Sequence, residues 1–172
     1  AKGQVTQITT ISDETLKQKK SLFVLNAQNK KITELNIGSI FEDILPFYNL
    51  VVDSENRLWG TTLSHRLVVC QIEKDLKKKL RCGQVRPVQS PVGSIALDPK
   101  SGHLYLGTLM AKSGQVIMAG EILEFEPKND KITRLLEGFH SVSGLVKTGG
   151  GLFAFEFSPE SRSSNNIYKI AF

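Results

Sequence analysis

Two cysteines give the clearest chemical signal in this chain of 172 residues. Cys70 and Cys82 lie on the two arms of the segment Val68 to Gly83, which has the pattern strand, polar turn, strand, and they are equidistant from Leu76 at its tip. Opposed residues of an antiparallel pair bring their Cα atoms close enough for a disulfide. A cross-strand disulfide is therefore expected, and it would indicate a secreted or periplasmic protein. The alternative is two reduced thiols in a cytoplasmic protein.

The three histidines are the other side chains with a common role in catalysis or binding. His103 falls in a turn and is interpreted as a solvated turn residue. His65, followed by Arg66, and His140 fall in connections between predicted strands, where ligands are often bound. The sequence shows no Gly-x-Ser-x-Gly elbow, no His-Glu-x-x-His pattern and no order of Ser, His and Asp that would indicate a hydrolase. Zinc is not expected, because no further Cys or His lies near the two cysteines.

The net charge is +5 at pH 7, with lysines clustered at 17–20 and 74–79. Nucleic-acid binders usually place arginine or aromatic side chains beside such lysines, and neither cluster has them. We interpret both clusters as solvated turns, so nucleic acid is not expected as a partner. No apolar run reaches the roughly 18 residues that a spanning helix needs, so no membrane span is expected.

Two kinds of β-hairpin must position these side chains, and both recur along the chain. Leu123 to Gly138 aligns without a gap with Phe23 to Gly38, and Val68 to Gly83 is a third copy. Each copy has two alternating apolar runs around an Asn, Asp or Lys turn, which is typical of a hairpin. A second hairpin type precedes them, in segments that we align as follows: Asn49 to Thr62, Ser94 to Thr108 and Gly144 to Phe155.

An inner and an outer hairpin together make a four-stranded unit of about 45 to 50 residues, which is typical of a β-propeller blade. The sequence therefore predicts a single all-β domain over residues 1–172, with about four blades visible and one of them incomplete. The predicted parts are the outer hairpin of blade one at about 21–38, blade two at about 46–85, blade three at about 91–138, and blade four at about 141–172 together with strand 4–10.

The N-terminal strand is predicted to close the ring. Gln4 to Thr10 has the pattern of an outermost strand, and we expect it to pair with Ile167 to Phe172, because closure removes two exposed sheet edges. Only ten residues, Ile11 to Lys20, then remain for the inner hairpin of blade one. Either blade one is degenerate or, as we favour, the chain is a fragment of a larger propeller with residues missing here.

The blades also resemble a known group of propellers. Ser94 to Thr108 and Gly120 to Pro127 resemble the calcium-dependent phosphotriesterase superfamily, with its gluconolactonase, senescence marker protein, strictosidine-synthase-like and NHL-repeat members. Asn56 to Thr62 is similar to the sensor propellers of hybrid two-component receptors and to the Yellow/royal-jelly group. For the enzymes of the superfamily, the resemblance implies a divalent cation in the central channel, held by carboxylate and amide side chains at the entries of the innermost strands.

The positions that match those metal ligands carry Phe47, Val92 and Val142, whereas Ca²⁺ requires oxygen ligands. Asn49 is the only amide near these positions, but it lies two residues after the position that matches a metal ligand. We therefore expect no metal and no cofactor, and a non-catalytic scaffold that binds a small molecule or a protein. The alternative is a Ca²⁺-dependent hydrolase or lactonase of the same superfamily.

The predicted binding site is the mouth of the channel, and the functional face is the end of the ring that carries the inserts Leu109 to Ala119 and Ser158 to Asn166. Trp59, Tyr105 and Phe153 align as one column, which we interpret as core between blades. The candidate ligand-binding residues are Phe47, Tyr48, Asn49, His65, Arg66 and His140.

Overall fold

The computed structural model describes residues 5–11, 21–26, 30–35, 47–62, 64–73, 80–85, 88, 90–113, 116–158 and 166–171. None of these residues lies in a helix, so this part of the chain contains no helix that could cross a membrane. The strands are β1 Val5–Ile11, β2 Ser21–Asn26, β3 Lys31–Leu35, β4 Phe47–Val52, β5 Arg57–Thr62, β6 Leu67–Gln71, β7 Arg81–Gln84, β8 Val92–Leu97, β9 Leu104–Thr108, β10 Ala111–Ser113, β11 Val116–Met118, β12 Gly120–Glu126, β13 Lys131–Phe139, β14 Val142–Thr148, β15 Gly151–Glu156 and β16 Asn166–Ile170.

Four antiparallel sheets, here called blades one to four, follow one another along the chain. Their strand orders are β1-β2-β3, β4-β5-β6-β7, β8-β9-β12-β13 and β14-β15-β16. The all-β class is confirmed, as is the four-stranded antiparallel form of blades two and three. Blades one and four have three strands each in the described part of the chain, and the described sheets do not form a closed ring.

The predicted closure by the N-terminal strand is wrong. β1 pairs with β2, with Ile8 opposite Val24 and Ile11 opposite Ser21, so it belongs to blade one. Joining β1 to the strand that follows it needs only a short connection, and a short loop costs less entropy to close than a long one. The alternating pattern of β1 predicts a strand without specifying its partner. Residues 12–20, which were considered for an inner hairpin of blade one, lie outside the described residues.

The first and third outer hairpins, which align in sequence, have the same strand register at the aligned residues. Leu25 pairs with Ile32 in blade one, and the aligned Phe125 pairs with Ile132 in blade three. The tight turns also match, since Lys30 and Asp130 occupy the same position with φ of 54° and 52°. Asp tolerates this left-handed backbone better than most side chains.

The predicted disulfide forms in the outer hairpin of blade two. Cys70 lies directly opposite Cys82, their Cα atoms are 3.9 Å apart, and their sulfur atoms are bonded. Cys70 is buried in the cluster that joins blade two to Leu35 of blade one. The disulfide thus ties together the two outermost strands of its blade.

The apolar core lies between neighbouring blades. Trp59 of blade two packs in one cluster with Ile95 and Phe125 of blade three. Tyr105 of blade three packs in the next cluster with Leu152 of blade four. The interpretation of these two aromatic residues as core between blades is therefore confirmed. Phe153, the third member of that column, is only half-buried.

Candidate ligand-binding face

One end of the blades, here called the entry face, is where the inner strands β4, β8 and β14 begin. Each inner strand carries a bulge at its second residue, at Tyr48, Gly93 and Ser143. A bulge bends its strand and changes where the flanking side chains point. The three bulges show that the entry face has the same construction in three successive blades.

The first residue of each inner strand is buried in the core. Phe47 lies in the cluster between blades one and two, Val92 in the cluster between blades two and three, and Val142 in the cluster between blades three and four. These side chains contribute carbon atoms to the packing of neighbouring blades. Phe47, a candidate ligand-binding residue, is accordingly placed among core side chains such as Leu58.

Asn49 links two blades at this face. Its side-chain amide donates a hydrogen bond of 2.8 Å to the carbonyl oxygen of Gly93 in blade three. Ser94, the aligned residue of blade three, donates through Oγ to the carbonyl of Val142 in blade four, at 2.9 Å. The amide of Asn49 thus positions a neighbouring blade. The side chain of Tyr48 lies outside what the structure describes.

His65 and Arg66 occupy the tight connection between β5 and β6. The backbone of His65 is left-handed, with φ of 58°, and its carbonyl accepts a 2.7 Å hydrogen bond from the backbone N–H of Val92. Arg66 is exposed, and its guanidinium donates a 3.5 Å hydrogen bond to the side-chain oxygen of Gln84. Asn49 and His65 are thus brought together by their contacts with the start of blade three, with Arg66 at the rim.

His140 lies at the boundary between blades three and four, beside a carboxylate that sequence reasoning missed. Glu156 is buried at the end of β15 and accepts hydrogen bonds from the backbone N–H of His140 and from the hydroxyl of Tyr168, both at 2.8 Å. These bonds, that of His140 first, outweigh burial and hold the pKa of Glu156 below its ordinary value. Glu156 occupies the position that Thr62 and Thr108 occupy in blades two and three. The change from a hydroxyl to a carboxylate at this repeat position was the sequence signal that could have identified Glu156.

The insert Leu109 to Ala119 of blade three contains a short β-hairpin of its own, formed by β10 and β11. Ala111 of β10 pairs with Met118 of β11, and Ser113 pairs with Val116. Ile117 at 64% and Met118 at 45% exposure are large apolar side chains left open to solvent. In the matching insert of blade four, residues 159–165 lie outside the described part of the chain. The hairpin thus projects apolar surface from the entry face.

A cavity of about 440 Å³ lies at the base of this hairpin. Leu109 and Met118 supply part of its apolar lining, together with Pro91. Its charged side is formed by Arg134, whose guanidinium lies 2.8 Å from Glu121 and 2.9 Å from Glu137. Apolar walls with a few charged groups at one side are typical of binding pockets.

The opposite end of the blades carries a smaller and more polar cleft of about 180 Å³ between the turns of blades two and three. Asp53 and Arg57 line it from blade two, and His103 lines it from blade three. His103 is half-buried, and its Nδ1 lies 2.9 Å from a carboxylate oxygen of Glu124. This residue is thus partly enclosed, where the sequence predicted a solvated turn residue.

The described residues include no group of three or more His, Cys, Asp or Glu side chains that could hold a metal ion. The two lysine clusters, at 17–20 and 74–79, lie outside the described residues. The entry face thus offers a cavity with apolar and charged walls, an exposed apolar hairpin, and the ion pairs of Arg134 with Glu121 and Glu137.

No family model and no curated protein matches this chain. Among solved structures, it is similar to the extracellular domain of a putative hybrid two-component system from B. thetaiotaomicron, with a TM-score of 0.51 and 16% identity over 98% of this chain and 21% of that chain. It is also similar to Sqt1 of Saccharomyces cerevisiae, with a TM-score of 0.54 and 16% identity over 96% of this chain and 46% of that chain.

Both likenesses concern the fold alone, because the identities are low. Together with the stacked antiparallel sheets, they fit a propeller-like arrangement. The chain spans about a fifth of the length of one of these proteins and just under half of the other.

Proposed function

We propose that this protein is a non-catalytic, propeller-like scaffold that binds a small molecule or a partner protein at its entry face. The observation that carries the proposal is the cavity of about 440 Å³ beneath the exposed hairpin β10–β11. The hairpin is an addition to the four-stranded blade, so its apolar residues are not needed to build the sheet. Loops and inserts on a rigid scaffold are where binding residues concentrate.

The chemistry of the cavity indicates the class of ligand. An apolar or aromatic group would lie against Leu109 and Met118, while a polar group would meet the charges of Arg134 and Glu121. A partner peptide or protein would also cover Ile117, which is 64% exposed. Burying such apolar area releases roughly 25 cal/mol per Å².

A fragment screen followed by amide NMR spectra tests this proposal. We expect aromatic fragments to shift the signals of 109–121 and 134–138, and we expect the shifts to disappear in the double variant Ile117→Ser, Met118→Ser. Ile32→Ser is the matched control, because Ile32 is 62% exposed in blade one, away from the cavity. Shifts confined to the turns of the polar cleft, or hits that survive the double variant, would contradict the proposal.

The alternative hydrolase is tested by calorimetric titration of Ca²⁺, Mg²⁺ and Zn²⁺ into chelator-treated protein. Our proposal expects no tight binding at the inner-strand entries, because Phe47, Val92 and Val142 offer no oxygen ligand there. Submicromolar binding that is lost in Asn49→Ala would favour the metal-dependent hydrolase or lactonase.

We also propose a secreted or periplasmic location. The disulfide Cys70–Cys82 supports it, since such bonds persist in oxidising compartments. The likeness to an extracellular domain is in keeping with it. Thiol titration of the natively isolated, denatured and unreduced protein should find no reactive thiol. Two reactive thiols would favour a cytoplasmic protein.

A further inference from the structure

Two carboxylates line the cavity beneath the hairpin β10–β11 from adjacent strands. Glu121 of β12 lies directly opposite Glu137 of β13 in the strand register. Like charges at directly opposed positions of an antiparallel pair destabilise the sheet. The cavity wall thus contains a pair of like charges that a nearby cation would stabilise.

Arg134 supplies one such cation. Its Nε lies 2.8 Å from Oε1 of Glu121, and its Nη1 donates a 2.9 Å hydrogen bond to Oε2 of Glu137. Among the described residues that line the cavity, these three side chains are the charged ones. Two carboxylates beside a single guanidinium leave an excess of negative charge at this wall.

Each carboxylate also keeps one oxygen available as an acceptor. Arg134 occupies Oε1 of Glu121 and Oε2 of Glu137, and no described residue donates a hydrogen bond to the other oxygen of either carboxylate. The side chain of Glu121 is only 18% exposed, and its backbone N–H donates a 2.8 Å hydrogen bond to Oγ1 of the buried Thr108. Glu121 is therefore held in position before a ligand arrives, which reduces the entropy lost on binding.

Apolar side chains form another part of the wall. Pro91, Leu109 and Met118 contribute to this lining. The volume of about 440 Å³ lies within the range of roughly 300 to 1,000 Å³ that is typical of pockets for small molecules. A ligand that fills the cavity therefore needs an apolar body in addition to a charged group.

We propose that the ligand of this cavity is a small organic cation, with an ammonium or guanidinium group on an apolar or aromatic body. The cationic group lies against Glu121 and Glu137 and donates to the oxygens that Arg134 leaves free. The body packs against Leu109 and Met118. A carboxylate ligand would meet Arg134 only together with the two carboxylates that already flank it. This inference rests on the proposed function, since it names the ligand class of the same cavity.

Three fragments that share a phenyl ring and differ in charge test the ligand class. They are phenethylamine, which is positive at neutral pH, phenethyl alcohol, which is neutral, and hydrocinnamate, which is negative. Titrations followed through the amide NMR signals of 109–121 and 134–138 give the three dissociation constants. We expect phenethylamine to bind about fivefold more tightly than phenethyl alcohol, because charge-assisted hydrogen bonds are stronger than neutral ones, and hydrocinnamate to bind most weakly.

The outcomes separate this inference from the proposal on which it rests. If phenethyl alcohol or hydrocinnamate bound as tightly as phenethylamine, the cationic ligand class would be wrong, while the cavity would remain the binding site. If none of the three fragments shifted these signals, both the ligand class and the proposed binding at this cavity would be wrong.

Removal of one carboxylate tests where the preference for a cation arises. Glu121→Gln should abolish the advantage of phenethylamine over phenethyl alcohol and leave the affinity for the alcohol unchanged. The matched control is Glu126→Gln, which should retain the advantage. Glu126 lies on the same strand, has a similar side-chain exposure of 19% and lines the polar cleft at the opposite end of the blades.

Glu137→Gln repeats the test at a side chain that is 66% exposed, where no packing is lost. It too should abolish the advantage of phenethylamine. Circular dichroism establishes that each variant is folded. A preference for phenethylamine that survives in Glu137→Gln, or in a folded Glu121→Gln, would overturn the proposal.

Discussion

The contact between blades two and three differs from the contact between blades three and four, although the two are aligned in sequence. The first is filled by the large ring of Trp59, which meets Phe125 edge to face with centroids 5.8 Å apart. In the second, Gly107 leaves room for Val142 of the next blade, so the sheets approach closely. Both contacts thus contain a large aromatic ring, Trp59 or the aligned Tyr105, and the second depends in addition on the missing side chain of Gly107.

The polar contacts differ in the same way. Asp53 stays within its own blade, where it accepts a 2.7 Å bond from Arg57 and a 2.8 Å bond from the indole N–H of Trp59. The aligned Asp98 instead reaches Lys147 of the next blade, at 3.6 Å. Asp53 thus holds the ring of Trp59 in place, whereas Asp98 links two blades directly. An aspartate at the same position of the repeat thus has a different partner in each of these two blades.

The largest expected effect is the loss of the ring that fills the first contact. Trp59→Ala should lower the free energy of unfolding by about 3 to 5 kcal/mol, because it leaves a cavity in the core. Phe153→Ala is the matched control from the same column and should cost less, since Phe153 is half-buried. Urea unfolding measures both. Equal losses of unfolding free energy would show that the contribution of this position to stability does not depend on whether a following blade covers it.

The second contact should be sensitive to one added methyl group. A Cβ on residue 107 would meet Ser94 Oγ and the side chain of Val142, so Gly107→Ala should destabilise the protein by about 2 to 3 kcal/mol. Gly83→Ala is the control, because nothing lies within 4 Å of a Cβ built there. Urea unfolding of the two variants should separate them clearly, and a neutral Gly107→Ala would mean that the blades can move apart.

Much of the architecture could be predicted because hairpins are encoded locally. The alignment of Phe23 to Gly38 with Leu123 to Gly138 gave the register of both outer hairpins, and the symmetric spacing of two cysteines gave the disulfide. The partner of β1 could not be predicted, since alternation specifies a strand and not its neighbour.

The candidate site was harder to predict from the sequence than the strands were. The roles of Asn49 and Glu156 depend on which carbonyl or N–H a neighbouring blade presents, and this becomes known only when the blades are stacked. The hairpin within Leu109 to Ala119 is short, and its strands of three residues leave little alternation to detect. The bulges that shape the entry face left no residue signature shared by all three blades.

The two aligned aspartates should differ in their contribution to stability. Asp53→Asn should lower the free energy of unfolding by about 1.5 kcal/mol, because charged hydrogen bonds to Arg57 and Trp59 are weakened. Asp98→Asn, in a more exposed turn, should cost less. Measured by urea unfolding at neutral pH, a larger loss for Asp98→Asn would reverse the comparison.

Acid should remove the contribution of Asp53 to stability. Burial would raise the pKa of Asp53, but hydrogen bonds from Trp59 and Arg57 outweigh it and lower the pKa below the ordinary 3.8. A lowered pKa contributes stability that is present above pH 3.8 and is lost as the pH falls through the folded value. The gap in melting temperature between the unaltered protein and Asp53→Asn should therefore narrow below pH 3.8. A gap that stays constant would show that the charge of Asp53 is not involved.

The smallest effect is expected for the ion pair that links blades three and four. Lys147→Met keeps the apolar stem but removes the charge near Asp98, and it should cost about 0.5 kcal/mol, because the pair is more enclosed than a typical surface pair, with 16% and 15% side-chain exposure. Lys131→Met is the control, since Lys131 is 63% exposed beside Glu126 and should show no measurable change. High salt should reduce the loss in Lys147→Met only partly, because enclosed charges are screened less than exposed ones. If both lysine variants matched the unaltered protein at low salt, the second contact would depend on close packing and on hydrogen bonds such as that of Ser94 to Val142, and not on this ion pair.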